Sequence, residues 1–88
     1  MRNKKKIDAK DCAVLERLSF EVNGYDVLIR TFAQSSLEWN LDKEKWTELL
    51  DRRRRTASII QEIVKRLCDH DYTGKYLVDF TQCQIEWE

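Results

Sequence analysis

Three cysteines and one histidine, Cys12, Cys68, His70 and Cys83, are the residues of this 88-residue chain with the most reactive side chains. Two kinds of chemistry have to be weighed. His70 stands between Asp69 and Asp71, two positions after Cys68, which is the composition of a base beside a thiol nucleophile. Residues two apart on a helix do not face one another, so that pair works only where a helix has ended. Cys68, His70 and Cys83, with Cys12 as a fourth, would form a zinc-type donor set. No CxxC or HxxxH spacing supports it, and Cys12 would have to fold back from the far end of the first helix. The spacing favours a histidine held at a helix C-terminus by the dipole. The thiols are expected to pack as small apolar groups and to react slowly while the chain is folded. No catalytic residue, metal ligand set or cofactor is expected, and the chain reads as a non-enzyme.

Arg52 to Arg55 is the densest run of charge. Four successive helical positions sweep about 300° of arc, so the run spreads around a helix instead of lining one face for a nucleic acid. Glu48 and Asp51 are the local partners expected for a solvated run. Arg53 alone points towards the apolar stripe of its helix, where it either meets a carboxylate across the bundle or marks a polar layer that sets register. The tryptophans, Trp39, Trp46 and Trp87, fit as closures of the core better than as a ligand-stacking pocket.

The elements that must position these residues follow from periodicity. Residues 1–7 read as a basic tail. Asp8 and Asp11 mark the start of a first helix over 8–36, with Leu15, Leu18, Val22, Tyr25, Ile29 and Phe32 at spacings of three and four. Leu18 to Ile29 around Asn23-Gly24 also fits a β-hairpin with a two-residue turn. The hairpin would set Glu21 opposite Asp26, whereas a helix sets Asp26 four residues before Arg30, so the helix is favoured. After a connection at Ser35–Asn40, in which Leu37, Trp39 and Leu41 lie against the core, Asp42 caps a second helix over 42–70. Its stripe is Trp46, Leu50, Ala57, Ile60, Val64 and Leu67, widened by Leu49, Ile59 and Ile63.

Residues 75–88 (KYLVDFTQCQIEWE) alternate as a β-ribbon turning at Thr81-Gln82. Folding there sets Phe80 against Cys83, Val78 against Ile85 and Tyr76 against Trp87 on one apolar face, with Leu77, Asp79, Gln84 and Glu86 on the other. A two-stranded ribbon is marginal alone, so its apolar face must lie on the helices and its outer edges remain open. The fold expected is mainly α: an antiparallel two-helix hairpin with a short C-terminal β-hairpin. Each helix carries an apolar stripe wider than one neighbour covers, with Leu28 and Leu49 outside the seam, so a homodimer is expected as well.

Sixteen Lys and Arg balance sixteen Asp and Glu. By segment the net charge is +4 over 1–6, −3 over 7–41, +2 over 42–70 and −3 over 71–88. A net-neutral chain with no basic face argues against a nucleic-acid partner. MRNKKK is too short and polar for a signal peptide, no apolar run approaches membrane-spanning length, and three well-separated cysteines suit a reducing compartment, so a cytoplasmic protein with no membrane contact is expected.

Two segments, LERLSFEVNGYDVLIRTF and YLVDFTQCQIEW, resemble the small accessory proteins of the CXXX-repeat peptide modification system. In the first, Asn23-Gly24 and Leu28 resemble that family's first helix; in the second, VDFTQCQI resembles a terminal "IDFxTCxI" ribbon. QEIVKR stands where the family's paired tryptophans are expected. The resemblance implies an accessory role beside radical-SAM maturases and cysteine-repeat precursor peptides, with no active site to carry over. From the residues comes the manner of binding: an open ribbon edge takes an extended peptide as an added strand, with Gln84 and Glu86 along that edge, Leu77 and Trp87 giving selectivity, and Arg53 as a contact on the helices. The expected function is thus a non-enzymatic protein- or peptide-binding module. Two other readings stand beside it: a structural homo-oligomer completing a four-helix bundle, and a mobile-element inhibitor that covers a partner protein's surface.

Overall fold

Asp8 ends the approach to the first helix, its carbonyl accepting the Cys12 amide at 2.9 Å to close the first turn. From there α1 runs Ala9–Ser35 without a break through Asn23-Gly24, which settles these residues as helix. Leu15 is buried and Leu18, Val22, Tyr25, Ile29 and Phe32 are half-buried, so burial along the stripe outweighs the roughly 1.5 kcal/mol that Asn and Gly cost mid-helix. The second helix, α2, spans Lys43–Leu67. The computed structural model describes residues 3–35, 43–68 and 74–88; the Ser36–Asn40 connection with Trp39, the Asp42 cap, and His70 with Asp69 and Asp71 lie outside them.

Leu15, early in α1, clusters with Ile60 and Val64, late in α2, while Asp26 in the middle of α1 pairs with Arg53 in the first half of α2. Contacts that advance along one helix and retreat along the other define an antiparallel hairpin. Arg53 therefore meets a carboxylate across the bundle, and Asp26 turns to it instead of serving Arg30 four residues on. Both side chains remain about two-fifths exposed, which limits the pair to about 1 kcal/mol or less. Glu48 and Asp51 pair with Arg52 and Arg54 on the outer surface, as a solvated run requires. The α2 stripe differs in one respect: Thr56 is buried and Ile59 is exposed. Thr56 hides its polarity by donating its hydroxyl to the Arg52 carbonyl one turn back, at 3.0 Å.

At the C-terminal end, β2 (Tyr76–Asp79) and β3 (Gln84–Trp87) pair antiparallel with Tyr76 opposite Trp87 and Val78 opposite Ile85. The connecting turn takes four residues, Phe80 to Cys83, and not two. Asp79 holds it by accepting the amides of Thr81 and Gln82, and Cys83 closes it at a φ of 50°, in the left-handed region.

The basic tail is corrected. Asn3–Lys6 form a strand, β1, antiparallel to β3, so the sheet is three-stranded in the order β1-β3-β2. Asn3 stands opposite Trp87 and Lys5 opposite Ile85 on the inner side; Lys4 and Lys6 stand opposite Glu86 and Gln84 on the outer side. Lys4 bridges to Glu86 at 3.4 Å. Lys5 reaches inward to donate to the Leu67 carbonyl at 3.3 Å, satisfying an end carbonyl of α2 and placing its charge at the negative pole of that helix. The core lies between sheet and helices: Ile7, Cys12, Leu15, Ile60, Val64, Cys68, Ile85 and Trp87 are buried. Among the described residues, no helix is long and apolar enough to cross a membrane.

Candidate functional site

Hydrogen-bond alternation decides which main-chain groups each sheet edge turns outward. The Glu88 amide donates to the Lys75 carbonyl, and in an antiparallel pair every second residue bonds the same neighbour. Leu77 and Asp79 thus aim their main chains at Glu86 and Gln84 in β3, while Tyr76 and Val78 aim theirs away from it. On the other side of β3, the Ile7 amide donates to the Cys83 carbonyl at 2.7 Å, so Ile85 and Trp87 bond β1 and the main chains of Lys4 and Lys6 face outward.

This arrangement redistributes the five expected binding residues. Gln84 and Glu86 belong to the middle strand, with their main chains committed to β2, so they line no open edge. The cause is β1, which occupies the side that a two-stranded ribbon would have left free. Trp87 is 6 % exposed and part of the core, with its Nε1 buried and without a hydrogen-bond partner among the described residues, so it presents no selectivity surface. Leu77 is exposed instead, at 62 %, on the outer face. Arg53 sits on the helical hairpin with Asp26, apart from the sheet.

Of the two outer strands, β1 is Asn-Lys-Lys-Lys and β2 is Tyr-Leu-Val-Asp. Lysine on an edge opposes further pairing, whereas β2 carries no such guard. Beside β2 runs a groove of about 260 Å³ lined by Leu15 and Ser19 from α1, Ile60 from α2, and Tyr76, Leu77, Val78 and Phe80 from the sheet end. Periodicity marked Leu15 and Ile60 as core and gave no sign that the sheet would leave a cleft beside them. A larger depression of about 550 Å³ lies along α2 alone, between Lys43 and Arg55, lined mainly by charged side chains.

The thiols are also rearranged. The start of α1, not its far end, meets the β2–β3 turn, so Cys12 and Cys83 come together over the Phe80 carbonyl, their sulfurs 3.6 and 3.9 Å from its oxygen. The hydrogen bond between Cys12 and Cys83, helped by burial, pushes the Cys12 thiol up to about 11. Cys68 is fully buried in the same core. No group of three or more His, Cys, Asp or Glu among the described residues is placed to hold a metal ion.

Compared with protein-family models, curated proteins and solved structures, the chain has no match.

Proposed function

We propose that this protein is a non-enzymatic binding module that receives an extended peptide as a fourth strand along β2. The observation that carries the reading is the contrast between the sheet's two outer strands: β1 is lysine-guarded, while β2 is apolar from Tyr76 to Val78, aims main-chain groups outward at Val78 and borders a groove. Main-chain hydrogen bonds supply affinity in such complexes and alternate side chains supply selectivity. Here one set of peptide side chains would enter the groove beside Leu15, Ile60 and Phe80, and the other would lie over Leu77 on the outer face. The resemblance of VDFTQCQI to the CXXX-repeat system suggests the ligand class, a cysteine-repeat precursor peptide awaiting radical-SAM modification.

A synthetic cysteine-repeat peptide, with a scrambled version as control, tests this by fluorescence anisotropy. Val78→Pro removes an outward amide from β2, and Lys6→Pro removes one from β1. Saturable binding that weakens at least about fivefold in Val78→Pro and persists in Lys6→Pro supports the reading, since a main-chain bond of about 1 kcal/mol is at stake. Equal binding by both folded variants would remove it.

Self-association is the second reading, favoured by α1. Phe20, Val27 and Leu28 are half-exposed or more on the side of α1 turned away from α2, with Gly24 between them. A second copy laid across this face would bury them as a homodimer. Leu49, expected to share that surface, is half-buried instead. Light scattering of Phe20→Glu against the wild-type chain at high concentration separates dimer from monomer.

A further inference from the structure

Two cysteines that are 71 positions apart in sequence share one acceptor in space. The Cys12 and Cys83 sulfurs sit 3.6 and 3.9 Å from the same Phe80 carbonyl oxygen. Their exposures differ. Cys12 is 2 % exposed in the first turns of α1, while Cys83 is half-buried at the mouth of the β2–β3 turn. The left-handed backbone at Cys83, uncommon for a residue with a side chain, belongs to the turn geometry that sets this thiol beside Cys12. Cys68, the third thiol, is sealed in the core.

We propose that Cys12 and Cys83 are an oxidative modification site, a dithiol that hydrogen peroxide converts to an intramolecular disulfide. Cys83 is the entry point because it is the more exposed of the two residues. Its sulfur attacks one peroxide oxygen, the O–O bond breaks, and the departing hydroxide leaves as water with the thiol proton. The sulfur has then lost two electrons to the peroxide and stands as a sulfenic acid. Cys12 next attacks the Cys83 sulfur, the S–O bond breaks, and the hydroxyl leaves as a second water with the Cys12 proton. Two thiols and one peroxide give one disulfide and two waters. Because Cys12 holds its proton to unusually high pH, the second step speeds up as pH rises. The product ties the start of α1 to the sheet turn with no change in chain topology, since both thiols already lie beside the Phe80 carbonyl.

The full chain tests this when treated with hydrogen peroxide, unfolded in denaturant, capped with a maleimide and weighed intact without reductant. The expected product is a monomer that has lost two hydrogens and takes up one maleimide where the untreated chain takes three, with a Cys12–Cys83 cross-linked peptide in the digest. Cys12→Ser should then carry a trapped sulfenic or sulfinic acid at Cys83. Cys83→Ser, a change at a half-buried turn position that spares the core, should show no bridge at all. Three maleimides after peroxide, a bridge that includes Cys68, or a disulfide-linked dimer would each overturn the assignment.

Discussion

The two ends of the helical hairpin carry the same kind of apolar stripe and differ in burial. Where α1 begins and α2 ends, the sheet closes over both helices, and Leu15, Ile60, Val64 and Cys68 are buried together with Ile85 and Trp87. Towards the other end, Val22, Tyr25, Ile29, Phe32, Trp46, Leu49 and Leu50 are only half-buried, and no described residue there reaches the interior. Two helices cover one stripe each and leave its flanks wet; a third layer completes the enclosure. With a longest dimension of 48 Å and a radius of gyration of 16.0 Å, against about 12 Å for a compact chain of this length, the protein is built as a small core with a long helical extension. Stability belongs to the sheet end, and the open end of the hairpin is a surface.

The sharpest way to break that comparison is to remove the same kind of side chain at each end. Ile85→Ala should cost about 2–5 kcal/mol in denaturant unfolding, because the site is sealed between helices and sheet, while Ile29→Ala at the open end should cost less than half as much. Equal losses would mean that the ends are equally buried in solution. Deleting residues 2–6 comes next. A solvated tail would leave stability unchanged, but the loss of β1, with its ladder to β3, the Lys4–Glu86 bridge and the Lys5 contact with Leu67, should cost about 1–3 kcal/mol and lower the melting temperature by several degrees.

How far the sequence disclosed this end of the molecule depended on the kind of signal each strand carries. The β2–β3 register was legible because Val78, Ile85 and Trp87 alternate with polar residues, and inward pairing followed from that period. The helix through Asn23-Gly24 was legible once Asp26 was denied a like-charged neighbour, although its true partner, Arg53, is a long-range contact that local spacing does not reveal. β1 was invisible: three lysines in a row carry no apolar alternation, and an edge strand with one inner lysine capping a helix depends on the rest of the fold being present. Missing β1 also misplaced the open edge, which is why Gln84, Glu86 and Trp87 were expected at a docking surface and are found in the middle strand and the core. The juxtaposition of Cys12 and Cys83 is likewise a property of the assembled sheet end, where helix start and turn meet.

Alkaline pH probes that meeting point. Cys12 stays protonated in the fold up to about 11, held by its hydrogen bond to Cys83, by burial and by the nearby charges of Glu16 and Asp79, whereas an unfolded thiol ionises near 9.0. The unfolded chain therefore releases its proton first, so stability is fully present below pH 9 and falls as pH rises towards 11. The melting temperature should show this decline in the wild-type chain, and Cys12→Ala should flatten it. The smallest effect belongs to the open half. Gly24 is helical and has nothing within 4 Å of the position a Cβ would take, so Gly24→Ala should raise stability by about 0.5–1 kcal/mol.

Amide hydrogen exchange read residue by residue, with and without the cysteine-repeat peptide, tests the central claim that β1 completes the sheet and leaves β2 as its receptive edge. In the free protein the Ile85 and Trp87 amides, bonded to β1, should exchange slowly while the Val78 amide exchanges fast, and peptide should slow Val78 without altering Lys4 or Lys6. Fast exchange at Ile85 and Trp87, or peptide protection confined to Lys4 and Lys6 or absent from both edges, would contradict the account.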